Sequence, residues 1–285
     1  IPGLLEKMIA RASEKLHLSQ PAVSIQVKQL EEGVGLPLFE HTGKKISLTE
    51  AGRTVYRCSQ TIRRVLEDTG EEIDELMGIQ RGRLDVTVTT TASYFASRIL
   101  AGFARDYPQI AVSLDVTNRE RLLQQLESNL CDLVIMGEPP KGMNLKSTPV
   151  MKNPLVVIAS PNHPLAGRRS IRAKSLGDHG FVFREPGSGT RAAIMRFLEK
   201  HGVNIRINLE MSSNEAIKQT VQAGLGLGIV SRHTVELELE TGRLVELDVA
   251  HFPLRRYWYL VRNRNKQLSP VAQRFESYAL DSRNH

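Results

Sequence analysis

Apolar positions recur at helical spacing in the first part of the chain and gather into short runs, divided by polar turns, in the rest. From Ala10 to Leu16, Ala12 and Leu16 share a face with Ile9 while Arg11, Glu14 and Lys15 face away, which predicts a short amphipathic helix. The break at His17-Leu18-Ser19 ends it. Ser19 is a good N-cap for the next helix, and Pro21 falls in the first turn, where its missing N–H costs nothing. Val23, Val27 and Leu30, at i, i+4 and i+7, are expected to face a small core; Gln20, Ser24, Ile25, Lys28 and Glu32 lie opposite. Gly33 and Gly35 supply a helix stop and a turn, and Leu36, Leu38 and Phe39 lead into a hairpin. Its tip is Thr42-Gly43-Lys44, with Lys44 and Lys45 placed to reach a phosphate and Ile46 and Leu48 returning to the core. Helix, tight turn, capped helix and basic hairpin, in that order, are the grammar of a winged helix-turn-helix, whose second helix would push its polar face into a DNA major groove. A plain helical hairpin within a core is the simpler alternative.

Thr49 then caps a long helix, Glu50 to Met77, which at 1.5 Å per residue is about 40 Å. Val55, Ile62, Thr69 and Leu76 recur every seven residues, and Cys58, Val65, Leu66 and Ile73 fill the places between. Such a seam predicts a short coiled coil and a dimer, the alternative being a helix packed on its own domain. Gly70 and the acids from Glu67 to Glu75 weaken the second half of the seam.

Ile79-Gln80-Arg81-Gly82 reads as a hinge, and from Leu84 short strands alternate with helices, the pattern of α/β units. Expected strands are Leu84 to Thr89, Ala111 to Val116, Cys131 to Met136 and Leu155 to Ala159, with helices Phe95 to Tyr107 and Arg119 to Leu126. After a crossover at Pro161 to Pro164 come strands Phe181 to Phe183, Asn208 to Met211 and Gly228 to Ser231, with helices Thr190 to His201 and Glu215 to Ala223. A last strand, Arg256 to Val261, and a helix, Ser269 to Ala279, return to the first lobe. The domain bounds expected are 1–48, 49–81 and 82–285, the last divided into lobe one (82–160 and 262–285) and lobe two (161–261). Two lobes joined by two crossing segments form a cleft, where ligands usually bind.

Composition narrows the reading. With 285 residues and a net charge of +7, the chain has room for several cores and favours a polyanionic partner, without choosing between DNA, RNA and anionic membranes. Only two cysteines, Cys58 and Cys131, fall in separate domains, which suggests a reducing compartment and no disulfide framework. No apolar run reaches membrane-spanning length and the start carries no secretory pattern, so a cytoplasmic protein with no membrane partner is expected.

The stretch HLSQPAVSIQVKQLEEGVGLPLFEHTGKKISLTEAG resembles the DNA-binding signature of the LysR-type bacterial transcriptional regulators, and the resemblance continues over essentially the whole chain. TASYFASRILAGFARDYPQIAVSL, with DLVIMGEPP after it, further resembles the subgroup that regulates carbon-fixation (Rubisco) operons. The fold class implied is an α/β multidomain chain: an N-terminal winged helix-turn-helix, a long linker helix, then a two-lobed effector domain similar to periplasmic-binding proteins. Double-stranded DNA, a homodimer through the linker helix, a tetramer and RNA polymerase are the macromolecular partners that follow. Family members carry a full helix ahead of the one beginning near Ile9. Ile1-Pro2-Gly3 cannot continue a helix and no initiator Met is present, so the first helix is expected to be incomplete. Gln20, Pro21, Ser24 and Ile25 would meet base edges, and Lys28, Lys44, Lys45 and Arg53 would hold phosphates. Where many members have an arginine after the serine of SQPAVS, Ile25 stands here. A bidentate guanine contact is thereby unavailable, and a thymine methyl becomes the natural neighbour.

Three strand-to-helix turns offer ligand chemistry in the cleft. The first carries Thr90, Thr91 and Ser93; the second, Arg184 to Arg191, carries Arg184, Gly187, Ser188, Gly189, Thr190 and Arg191; the third carries Ser212 and Ser213. Helix amino termini attract carboxylates and phosphates because unpaired N–H groups and the dipole point the same way, so a small anionic effector is expected. For the subgroup this would be a phosphorylated carbon-metabolism intermediate or a nicotinamide nucleotide. Plain capping is the competing account of each turn, although two arginines and two glycines exceed what capping needs. The Lys-Ser/Thr ending of a phosphate-binding NTPase loop is absent. His17, His41, His163, His179, His201, His233 and His251 are scattered without metal-ligand spacing, and Ser188 has no nucleophile-elbow context, so neither a metal, a cofactor nor a catalytic set is expected. A two-lobed small-molecule receptor without DNA activity is the alternative function, and it leaves Ala10 to Thr49 unexplained.

Overall fold

A computed structural model describes residues 11–42, 45–76 and 81–281 and divides the chain into two compact units, Ile1–Glu67 and Asp68–His285. The incomplete first helix expected ahead of Ile9 and the hairpin tip with Lys44 lie outside the described residues.

In the first unit a helix (α1) covers residues 11–16 and stops where His17 enters the left-handed region at φ 53°. Ser19 caps α2 (Gln20–Val34) by accepting the Ala22 N–H at 3.4 Å, with Pro21 in the first turn. Gly35, at φ 75°, ends the helix by donating its N–H to Glu31 O. Strands β1 (Phe39–Thr42) and β2 (Lys45–Leu48) form an antiparallel hairpin pairing Phe39 with Leu48. Thr49 Oγ1 accepts the Gly52 N–H at 2.9 Å and donates to Pro37 O at 2.7 Å, so one hydroxyl caps α3 (Glu50–Leu76) and ties it to the strand entry. Gly52 is required there, since a Cβ would collide with the Leu38 carbonyl.

The core is shorter than the periodicity suggests. Val23 and Leu38 are buried and Val27 half-buried, but Leu30 is 48% exposed; on α1 it is Ser13, with half-buried Ala12, that turns inward while Leu16 is 59% exposed. Leu30 shares the face of Val23 but stands two turns, about 10 Å, further along the axis, beyond the described core.

The second unit begins within α3 rather than after it. Glu71 Oε1 accepts the Arg83 N–H at 2.6 Å and Asp74 takes two bonds from Arg81, at 2.7 and 3.0 Å, so the last turns of that helix are fastened to the strand that follows. Lobe one is a five-stranded sheet in the order β4-β3-β5-β12-β6, made of β3 (Gly82–Thr89), β4 (Ile110–Thr117), β5 (Leu133–Met136), β6 (Leu145–Lys152) and β12 (Tyr257–Asn263). β3 runs parallel to β4 and β5, and β12 antiparallel to β5 and β6. Helices α4 (Ser93–Asp106) and α9 (Pro270–Asp281) cover one face, where Phe103 meets Phe275 edge-on at 5.2 Å; Leu122 and Leu126 of α5 (Arg119–Glu127) cover the other.

Lobe two has the order β11-β7-β10-β8-β9, from β7 (Leu155–Ala159), β8 (Gly180–Arg184), β9 (Arg206–Met211), β10 (Leu227–Ser231) and β11 (Val245–Glu246). Its helices include α6 (Gly189–His201), α7 (Asn214–Gln222) and α8 (Glu236–Glu240). Successive strand residues serve opposite faces: Phe181 and Phe183 pack under α6 while Val182 meets Ile217 and Val221 of α7. Burial on both faces explains why these strands read as unbroken apolar runs.

Two expectations about the lobes are corrected. Leu155–Ala159, assigned to lobe one, belongs to lobe two, with Leu155 paired to Ser231; the stretch 257–261 returns to lobe one's sheet, as expected of the last strand, with Leu260 paired to Ile135, so it is the lobe-two bound at 261 that is wrong. An apolar run announces a buried strand but not the sheet that it joins. β6, with Pro149 in its middle, gives no clean alternation and was not expected at all.

Candidate functional site

Gln20, Pro21, Ser24, Ile25 and Lys28 are all exposed on α2, with Gln20, Ser24 and Lys28 one turn apart in a line. They offer an amide, a hydroxyl and an ammonium in sequence, beside an Ile25 that is 56% exposed. Lys28 approaches Glu32 at 3.9 Å, a solvated pair that holds the lysine only weakly. Arg53, at the foot of the hairpin, donates to Leu48 O at 2.6 Å and keeps its head exposed. Of Lys45 only the backbone, in β2, is described.

On α3 the apolar seam is uncovered: Ile62, Val65, Leu66 and Ile73 are each more than half exposed. Cys58 on the same helix is free and exposed.

In the second unit a cavity of about 440 Å³ opens between the lobes. Thr90 and Thr91 reach it from the turn after β3, Ser212 from the turn after β9, and Arg184, Gly187, Ser188, Gly189 and Thr190 from the loop into α6. Ser93, Ser213 and Arg191 do not line it. Ser93 Oγ donates to Thr90 O at 2.8 Å and Ser213 accepts the Ala216 N–H as the cap of α7. Arg191 donates to Arg184 O at 2.7 Å and pairs with Glu210.

The loop's other arginine is also engaged. Arg184 is buried, with Nε and Nη2 on the Glu185 carboxylate at 2.7 and 2.9 Å and Nη1 on Asn214 Oδ1 at 2.9 Å, so its charge is neutralised by its own neighbours. Ser188 accepts the N–H groups of Thr190 and Arg191 and caps α6. The loop is thus first a built helix start, and its arginines serve it.

The cations that face the cleft stand at the starts of two elements expected from the sequence, but with no ligand role foreseen for them. Arg119 opens α5 and Arg256 immediately precedes β12, and both line the cavity. Among the described residues the Arg256 guanidinium donates no hydrogen bond to protein. Burial lowers its pKa to about 10, Arg196 and Arg119 pushing the same way and Glu138 opposing them. Arg119 is lowered too, by burial above all. A Cβ on Gly137 would lie 2.8 Å from Arg256 Nη2, and one on Gly189 would lie 3.3 Å from Arg119 Nη1. Gly137 leaves room for one guanidinium, and Gly189 brings the amino terminus of α6 against the other. Behind them an adjoining cavity of about 630 Å³ shares Arg119, Arg256 and Pro186 to Gly189, and adds Glu138, Lys141, Arg196 and the expected Arg191. With Arg184 and Arg191 paired to Glu185 and Glu210, the guanidiniums of Arg119, Arg196 and Arg256 stand against the carboxylates of Glu120 and Glu138, and beside a helix amino terminus they make a site for an anion. Thr89 Oγ1 and Trp258 Nε1 on its wall are buried without a hydrogen-bond partner among the described residues. Arg255-Arg256 ahead of an aromatic strand is the one local trace of this arrangement, and no turn motif marks it.

No group of three or more His, Cys, Asp or Glu able to hold a metal occurs among the described residues, and none of the described helices is long and apolar enough to cross a membrane.

Comparison with known proteins agrees with this architecture. Residues 6–53 match the bacterial regulatory helix-turn-helix protein of the lysR family, and residues 78–283 match the LysR substrate binding domain. A RuBisCO operon transcriptional regulator from Allochromatium vinosum is 53% identical over 270 residues, covering 95% of this chain and 89% of that one. The regulatory domain of CcmR from Synechocystis, solved in complex with 2-PG, superposes with a TM-score of 0.68 at 43% identity, over 71% of this chain and 98% of that one. Full-length OxyR from Pseudomonas aeruginosa shares the fold, with a TM-score of 0.73 at 23% identity over 97% of this chain and 89% of that one.

Proposed function

The chain belongs to the LysR family of bacterial regulatory proteins, and from that premise we propose that it controls carbon-fixation genes as a DNA-bound homodimer or higher oligomer. A small phosphorylated metabolite held between the lobes is its signal. The observation that carries the effector half of this reading is Arg256: a half-buried guanidinium without an acceptor among the described residues, beside Arg119 and the start of α6. Cations withdrawn from water cost free energy until an anion meets them. 2-phosphoglycolate, the compound bound to the Synechocystis relative, has the size and charge that such a place takes.

On the DNA side, Gln20, Pro21, Ser24 and Ile25 read base edges, with the Ile25 side chain against a thymine methyl. Lys28, Arg53 and the two hairpin lysines, Lys44 and Lys45, hold phosphates. A second copy covers the seam of α3, whose exposed Ile62, Val65 and Leu66 are costly to leave in water.

Footprinting on a promoter fragment from a Rubisco operon tests the whole reading. The protein is expected to protect that fragment in preference to random DNA, and 2-phosphoglycolate, but not glycolate, to change the extent of protection. Equal binding to both DNAs would remove the regulator assignment, and a footprint indifferent to every phosphorylated compound would remove the effector assignment alone.

A further inference from the structure

Glu138 sits where the cations of the two lobes converge. It follows Gly137 at the end of β5, in lobe one, and its backbone oxygen accepts Arg119 Nη2 at 2.9 Å. Its carboxylate reaches across to lobe two and takes Arg196 Nη2, from α6, at 3.1 Å. Pro139 and Pro140 come next, each with φ fixed by its ring, so the backbone that presents the carboxylate is stiff. The side chains themselves are free to part: Glu138 is 57% exposed and Arg196 61%. Ion pairs this wet are held by little and exchange partners readily.

An anion entering between Arg119 and Arg256 therefore meets a carboxylate already drawing on the same cations. We propose that Glu138 competes with the anionic group of the effector for Arg196, and so sets how much charge an effector must carry. A phosphate dianion takes Arg196 from Glu138, and the carboxylate swings to solvent. A carboxylate monoanion is too weak a competitor and is left to face the charge of Glu138. Arg119 is a positioning residue here as well as a ligand contact, because it holds the Glu138 backbone while the side chain changes partner. The inference rests on the cleft being the anion site of the proposed function.

Trp258, the only tryptophan of the chain, lines the cleft and provides the readout. Fluorescence titrations of the full chain with 2-phosphoglycolate, inorganic phosphate and glycolate would be compared for the native protein, Glu138→Gln and Glu138→Asp. Glu138→Gln is expected to tighten 2-phosphoglycolate and phosphate by about three- to tenfold and to narrow their advantage over glycolate, while Glu138→Asp keeps the native preference. If Glu138 merely tied the lobes together, Glu138→Gln would instead weaken every ligand, and unchanged or weaker binding overturns the proposal. Failure of all three anions to bind even the native protein would sink the effector reading itself, and the competitor with it. Both variants alter an exposed side chain, and an unchanged melting temperature would confirm that they fold.

Discussion

On α2, Gln20, Ser24 and Lys28 stand one turn apart on a single helix, each exposed and each placed by the same local geometry. In the cleft, Thr90, Arg119, Gly189 and Arg256 arrive from four separate segments of two lobes and are withdrawn in part from water. The difference sets what each residue is worth. A side chain on an exposed face acts independently of its neighbours and meets its partner in a high dielectric, whereas a guanidinium in a cleft owes its strength to the water that the fold excludes.

The largest test of that contrast is Arg256→Gln. It should weaken 2-phosphoglycolate by about 2–4 kcal/mol, on the order of a hundredfold in Kd by calorimetry, with little change in stability. Arg184→Gln should do the reverse, because it strips the partner from Glu185 and from buried Asn214: urea unfolding should lose about 2 kcal/mol while affinity in the folded protein holds. Equal losses of affinity in the two variants would mean that the cleft does not separate its arginines as described.

On the other side of the comparison, Gln20→Ala should cost about 1–3 kcal/mol on cognate DNA and nothing on random duplex. Lys28→Ala should weaken both alike and lower the salt slope by about one. A Gln20→Ala loss that is uniform across sequences would undo the assignment of that face to base reading.

The smallest effect expected is with pH, through two histidines of the second unit. His163 has its pKa lowered by burial and then by His179, and His201 by burial, then by His251 and Lys200. A base whose folded pKa lies below its ordinary 6.5 is protonated first in the unfolded chain. Stability is then lost as pH falls through that ordinary value, and the loss is complete below the folded values. Acidification from about pH 7.5 to about 5.5 should lower the melting temperature by a few degrees, and the double variant His163→Gln/His201→Gln should flatten the curve. A slope unaltered in that variant would place the acid sensitivity elsewhere.

How far each region can be read from sequence follows from the same contrast. Ser19, Pro21 and Gly35 act on the residues beside them, so the start and stop of α2 are written locally, as is the side on which Gln20 and Lys28 emerge. Depth of burial is not local. Leu30 has the right spacing for the core and still lies beyond its end. The loop from Arg184 to Arg191 announces a helix start, but nothing within it says that Glu185, Glu210 and Asn214 will occupy its arginines. Arg256 is invisible for a different reason. It reaches the cleft because β12 inserts between β5 and β6, a consequence of sheet order that no spacing along the chain records.

That insertion of β12 also bears on the ribosome's task. Lobe two runs unbroken from Leu155 to Leu254, which themselves pair, so all of it exists before residue 257 is made. Lobe one is then still without its second-last strand, and β6 has no partner to lie against. Of the two lobes, the one whose translation starts first is completed last, by a strand and a helix that come after the whole of the other.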